Sequence, residues 1–453
     1  MADIFDVIII GAGITGTSLL YMLSRFTNVK SVLLIEKYEG VATLNSSSRN
    51  NSQTLHFGDI ETNYSLDKAR KVKTISTLTL KYCMSLPDRF RKQVIEQCPT
   101  MVLAVGSEEV EQLKKIYESG LREVFPTLQN IDKGEIGKLE PNITAGRDPA
   151  EEISAITSGH GYMVNFGKLA ETFIEDAKKN TKVEIKIIFN HKVVETKRTG
   201  DYFTVRTDGG EEFKGRFVDF STGTYSLYFA KKAGLEKNLS ILDIGGGFYE
   251  SRRMLNGKVY RFQHSGIPFA AVHADPDINN PNVTRYGPTV KIPLSLEKGK
   301  GGTLLDYIRS FDFDLDTFTS LKNVFMEKNV RRIITKNMVY DIPGVGKRSF
   351  IKNEVNKIVP TLRINELKFD PNVGGIRPQI LDEKTKRFAV GDDKIRGKGL
   401  TFNITPSPGA SACVGNALVD AIDITKYLGL EFSRDNFDRM FETEAEKIYS
   451  SYS

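Results

Sequence analysis

Three glycines at a fixed spacing, Gly11, Gly13 and Gly16 in "DVIIIGAGITG", are the first residues of this chain that could do chemistry. In such a pattern the first glycine permits a tight turn, the second lets backbone amides approach a pyrophosphate, and the third lets a helix pack closely on a strand. The helix amino terminus then offers free amides and a partial positive charge to the phosphates. Glu36 ends the run "SVLLIE", about twenty residues beyond Gly16, where a carboxylate can bond ribose hydroxyls. The glycine spacing alone also suits an ordinary helix-start turn. A strand before it, a helix after it and an acid at this distance predict a dinucleotide site.

Those residues need a strand over residues 6–10, a helix from about residue 14 to 25, and a second buried parallel strand ending on Glu36. Together these make one βαβ unit. The stretch is apolar, but Asp3 and Asp6 precede it and its glycines break it, so it reads as neither membrane anchor nor signal peptide. Further on, "NFGKLAETFIEDAKKN" is an amphipathic helix, and residues 182–226 form a string of strands with a "DGG" hairpin turn. "RFVDFSTGTYS" sets a buried strand before Ser221, Thr222 and Gly223, a turn that suits the adenosine half of FAD. "TPSPGASACVGNALV" places Pro408 and Gly409 just before a helix whose free amides would face a flavin ring; its plain alternative is a Pro-Gly helix cap.

The totals bound what the rest can be. A chain of 453 residues suggests two domains, and 40% hydrophobic with 26% charged residues describes a globular protein. The net charge of +6 is mild for this length, which argues against a nucleic-acid partner and favours an anionic substrate or an anionic membrane surface. Cys83, Cys98 and Cys413 lack metal or redox spacing, which points to a reducing compartment, and no histidine-carboxylate cluster predicts a metal. GxSxG and Walker patterns are absent as well.

The segments "SSSRNNSQTLHFGDIETNYS", "FAAVHADPD", "RYGPT", "KNMVYDIPGVGKRSF", "GGIRPQ" and "TFNITPSPGASACVGNALVD" together resemble the FAD-dependent malate:quinone oxidoreductases. The likeness spans nearly the whole chain. It implies an α/β protein: an FAD-binding Rossmann-like (glutathione-reductase-like) domain built from 1–80, 161–235 and 376–430, an inserted α+β substrate domain from 81–160 and 236–375, and a helical tail, 431–453. It also implies oxidation of L-malate to oxaloacetate on FAD and electron delivery to a membrane quinone, by a cytoplasmic protein attached peripherally to the inner face of the cell membrane. Cofactor contacts carried by the likeness are Gly11, Gly13, Gly16, Glu36, Ser47, Gln53, Thr54, Val194, Thr222, Gly223, Pro408, Gly409 and Ala410.

Oxidising a 2-hydroxy acid requires a base for the hydroxyl proton, a hydride acceptor and cations for the carboxylates. Only five histidines occur: His56, His160, His191, His264 and His273. His273 ends an apolar strand, a place that suits a structural histidine equally well, and the resemblance makes it the first choice of base. His56, in a polar loop after the βαβ unit, is the second, and His191 reads as surface. Arg377 in "GGIRPQ" is the expected carboxylate fork, with Arg285 as the second cation and Lys347 and Arg348 behind it. Asp392 in "RFAVGDD" mimics a ribitol-binding acid but reads more simply as part of a charged hairpin. Competing expectations are an L-2-hydroxyglutarate dehydrogenase or amino-acid oxidase on the same fold, or a non-catalytic FAD-binding protein.

Overall fold

The structure is a computed structural model describing residues 4–235, 239–263, 271–291, 293, 295–298, 301–310, 319, 322–323, 326, 328–340, 342, 344–370, 373–382, 387–388, 393–405 and 408–452. His264 and Asp392 lie outside these residues.

The strand Ile4–Ile10 forms because a run of β-branched and aromatic side chains leaves no polar face, and its residues from Phe5 to Ile10 are buried. It sits at the centre of a sheet ordered Glu184–Ile188, Ser31–Ile35, Ile4–Ile10, Glu212–Phe220, Leu400–Ile404 and Asp393–Gly397. The first five strands are parallel, and the last returns as an antiparallel hairpin. The strands Val193–Thr199 and Tyr202–Thr207 extend from Glu212–Phe220 as an antiparallel meander, with the expected "DGG" turn at the hairpin. Helix Ile14–Phe26 packs between helices Phe166–Lys178 and Cys413–Leu428 on one face of this sheet. Leu19, Leu20, Leu23, Phe173 and Leu418 fill that layer.

A second eight-stranded sheet runs Lys368–Asp370, Phe248–Arg252, Asn280–Gly287, His273–Asp277, Lys258–Arg261, Thr100–Val105, Ile153–Ser158 and Gln129–Ile131. Here His273 lies opposite Tyr260, and Asp275 opposite Arg285. Directly opposed residues share a face and successive residues alternate, so His273, Asp275, Tyr260, Lys258 and Arg285 are all presented on one side. Strand Ile376–Asp382, which carries Arg377, pairs instead with Leu239–Gly245 in a three-stranded sheet. Among the described residues no helix is long and apolar enough to cross a membrane.

Candidate active site

The glycine turn closes against the end of the neighbouring strand. Gly11 has φ +106°, and a Cβ there would lie 2.4 Å from the Ser221 carbonyl oxygen; a Cβ on Gly16 would lie 2.0 Å from the Gly11 oxygen. Gly13 is the N-cap of helix Ile14–Phe26 and supplies no side-chain cap, so the first turn is left to other donors and acceptors. Ser46 Oγ takes the amide of Ile14 at 2.9 Å. Glu36 holds the turn from the other side, its Oε2 accepting from the Ala12 amide at 2.8 Å and its Oε1 from the Tyr38 amide at 3.0 Å.

From this turn a cavity of about 610 Å³ extends past Glu36, Thr222 and Gly223 at one end to His56, His273, Arg377 and Pro408–Ser411 at the other. Of the residues expected at a cofactor, Gly11, Gly13, Glu36, Thr54, Thr222, Gly223, Pro408, Gly409 and Ala410 line it. Gly16 lies behind the turn as a packing residue. Ser47 and Val194 do not line the cavity, whereas their neighbours Ser46 and Val193 do. Gln53 is buried elsewhere, donating to Asp277 Oδ2 at 3.2 Å and to the Ser48 carbonyl, and accepting from the Ile278 amide. His191, expected at the surface, is half-buried at the cavity edge, with Nε2 3.3 Å from Glu211.

At the far end two histidines each meet a carboxylate. His273 Nδ1 lies 2.5 Å from Asp275 Oδ2, and both side chains are buried. Behind them Lys258, wholly buried, sets Nζ 3.6 Å from Asp275 Oδ1 and donates to the Ser52 carbonyl at 2.7 Å. Burial pushes the His273 pKa down more than the negative Asp275 raises it, so the imidazole is neutral at neutral pH. Asp275 has its pKa lowered although burial opposes this, because His273 and Lys258 favour its charge. His56 Nδ1 lies 2.5 Å from Glu61 Oε1, and its Nε2 lies 3.4 Å from Ser52 Oγ. Tyr260 stands between the two, its ring 4.8 Å from that of His273 and 6.2 Å from that of His56. Its hydroxyl meets Thr54 Oγ1 at 2.5 Å.

Arg377 lines the cavity because the "GG" before it packs onto another backbone. Gly374 has φ +109° and comes so near the Gly246 carbonyl that a Cβ would lie 1.9 Å away. Burial lowers the arginine's pKa from its usual value. Among the described residues no carboxylate pairs with Arg377, which leaves its fork open to an anion in the cavity. Arg285 is placed otherwise than expected. Its guanidinium stacks 4.4 Å from the Phe248 ring, lies 3.3 Å from Asp277 Oδ2, and donates to the Asn51 carbonyl at 3.0 Å. It does not line the cavity, since a buried guanidinium is satisfied first by the carboxylate and carbonyls around it. Lys347 and Arg348 lie outside the lining too; besides Arg377, the Lys and Arg side chains among the described lining residues are Lys37, Lys192 and Lys298.

Sequence reasoning passed over Asp275, Lys258, Tyr260, Glu61 and Ser46. Asp275 had a signal, because "HAD" in a strand puts the first and third side chains on one face. Glu61 is five residues from His56 in a loop, with no periodicity to reveal it.

The malate:quinone oxidoreductase family model matches residues 3–425. A malate:quinone oxidoreductase of Helicobacter pylori is 38% identical over 96% of this chain and 97% of its own length. The human mitochondrial L-2-hydroxyglutarate dehydrogenase is 24% identical over 90% of this chain and 86% of its own. Among solved structures, the FAD-bound L-α-glycerophosphate oxidase of Mycoplasma pneumoniae superposes with a TM-score of 0.63 at 18% identity, over 95% of this chain and 96% of that one. The fold is thus the Rossmann-like fold of FAD-dependent oxidases, and the chain belongs to the malate:quinone oxidoreductase family.

Proposed function

We propose that this protein binds FAD in the cavity and oxidises L-malate to oxaloacetate, with a membrane quinone as the final acceptor. The observation that carries the reading is the convergence of His273, His56 and Arg377 on the end of the cavity remote from the glycine turn. Gly11, Gly13, Glu36, Thr222 and Gly223 are suited to the nucleotide half, and the turn Pro408–Ser411 with the uncapped helix Cys413–Leu428 to the ring. In this reading the segments 1–80, 161–235 and 376–430 make up the cofactor half. FAD, when bound, supplies a two-electron hydride acceptor.

Arg377 takes one malate carboxylate and orients C2. The hydroxyl proton of C2 passes to Nε2 of His273, whose lowered pKa leaves it free to accept, while the hydride leaves C2 with its electron pair. Neutral C2–OH thereby becomes the C2 carbonyl of oxaloacetate. Tyr260, packed against both rings, restricts their motion and excludes water from that side.

Quinone is taken from the inner face of the cell membrane, to which the protein attaches peripherally. Exposed Met338, Val339, Ile342 and Val345, with Arg331 and Arg332 exposed about two turns before Met338 on the helix Lys328–Tyr340, support this. The test of the whole reading is anaerobic: the purified yellow protein is mixed with L-malate, then with a soluble quinone. Bleaching followed by recovery is expected, and a spectrum unmoved by malate would sink it.

A further inference from the structure

We infer that residues 295–298 and 301–310 are a strap across the nucleotide end of the cavity, fastened by Glu297 to Lys37 and Tyr38. This fastening governs how fast FAD enters and leaves. The inference rests on the reading of the cavity as an FAD site and adds what closes it.

The floor of the nucleotide end is the glycine turn and the end of strand Ser31–Ile35, whereas its cover comes from far along the chain. Leu296, Glu297 and Lys298 line the cavity together with Glu36, Lys37 and Tyr225. Glu297 is buried, and its carboxylate oxygens are divided between the two residues that directly follow Glu36. Oε1 accepts from Lys37 Nζ, and Oε2 accepts from the Tyr38 hydroxyl. Glu36 in turn accepts from the Tyr38 amide, so the strap is fastened to the same short loop that presents the Glu36 carboxylate. Lys37 is held from another side by the Tyr225 ring, 4.4 Å from its Nζ. Further along, Thr224 Oγ1 donates to the Leu296 carbonyl at 2.7 Å. Asp306 accepts from the Tyr225 hydroxyl at 3.4 Å and lies 3.9 Å from Lys192 Nζ. Leu296 and Tyr307 pack among Tyr225, Phe229 and Ile241.

Each of these polar links runs through a side chain. Among the described residues no backbone–backbone hydrogen bond ties 295–310 to the loop after Glu36 or to the turn at Ser221–Tyr225. A sheet ladder opens only by losing a row of bonds together, whereas side-chain links break and remake singly, so the strap lifts while both large sheets stay whole. The Glu297 link is the one that decides. It is charge-assisted, and a carboxylate this buried is stable only while its charge is met. Lys37 meets it without help from a cofactor atom, so the clasp resists entry as well as exit.

The test times the cofactor rather than turnover. FAD release from the holoprotein is followed by the rise of flavin fluorescence on dilution, and FAD entry by its quenching on mixing with apoprotein. Glu297→Gln and Lys37→Met are each expected to speed release about 10- to 100-fold, the worth of one charge-assisted hydrogen bond, and to speed entry as well. The double variant is expected to match the faster single one, since either change undoes the same clasp. Faster release with entry unchanged would make Glu297 an ordinary contact of the cofactor and overturn the strap, and so would effects that multiply in the double variant. Should Glu297→Gln fail to fold, Tyr38→Phe removes one hydroxyl from the clasp, and both rates are again expected to rise. Variants that take up and release FAD at the wild-type rates overturn the strap alone. A wild type that neither carries FAD nor binds it when added overturns the cofactor reading beneath it.

Discussion

The two ends of the cavity are built by opposite means. At the nucleotide end the surfaces are backbone: a glycine turn, the amino end of a helix, and the small residues Ser221 to Gly223. At the reaction end they are side chains drawn from three separate strands and two loops. The contrast extends to a buried carboxylate at each end. Asp219, under the Ser221 turn, is wholly buried, and burial together with the charge of Asp420 raises its pKa to about 8. Asp275, equally buried, is held below the usual carboxylate value by His273 and Lys258. Burial alone therefore does not decide the charge of a carboxylate here. A cation placed against it does, and only the reaction end has one directly in contact with a carboxylate that meets a histidine.

The backbone end is the easiest to break. Gly16→Ala sets a methyl 2.0 Å from the Gly11 carbonyl, and backbone has nowhere to go without moving the helix from the sheet. The expected result is a protein that purifies colourless or not at all. Gly13→Ala sets its methyl 3.2 Å from Ser46 Oγ, a side chain that can turn away, so yellow protein with weakened flavin retention is expected. Equal colour in both variants would mean that the turn does not govern cofactor binding.

Arg377→Ala tests the reaction end next. The fork offers a charged hydrogen-bond pair worth roughly 1.5–3 kcal/mol, so KM for malate should rise about 10- to 100-fold while the protein stays yellow. An unchanged KM, measured by quinone-linked turnover, would remove the residue from the site. His56→Gln is expected to cost less, about tenfold in kcat, since its partner Glu61 lacks the lysine that supports Asp275. A loss as large as that of His273→Gln would reverse the ranking of the two histidines.

The same contrast explains what the sequence could show. Backbone chemistry is written locally: Gly11, Gly13, Gly16 and Glu36 announced their turn because spacing along the chain is spacing in the turn. Periodicity likewise predicted the buried parallel strands and the helix at Phe166–Lys178. His273, His56 and Arg377 were found by residue type and resemblance, and they do reach the same cavity. Of their surroundings Asp275 could be read from "HAD", but Lys258 could not, because it meets Asp275 only through strand pairing. Arg285 was misplaced for the same reason. Its charge was visible, but the Asp277 carboxylate and the carbonyls of residues 48, 49 and 51 that satisfy it lie elsewhere in the chain.

The smallest effect concerns Asp219 and sharpens the contrast of the two carboxylates. In the native protein it keeps its proton up to about pH 8, whereas in the unfolded chain it has the usual carboxylate pKa of 3.8. The folded state thus binds more protons than the unfolded one over this interval. The stability due to Asp219 is complete below the unfolded value and declines as pH rises towards the folded value. Asp219→Asn cannot ionise, and its carbonyl can still accept from Ser221 Oγ, which lies 2.6 Å from Asp219 Oδ1. The second oxygen now accepts from the Asn403 amide; that amide's own oxygen is buried without a partner, so a flip of Asn403 provides an acceptor for the new NH₂. The variant should therefore gain on the wild type as pH increases, with Tm differences of about 1 °C for each kcal/mol recovered between roughly pH 5 and pH 8, the shift expected for a chain of this length. A Tm difference that stays constant across that range would mean that Asp219 is ionised in the native protein, as Asp275 is, and that a cation such as Lys394, paired here with Asp420, reaches it too.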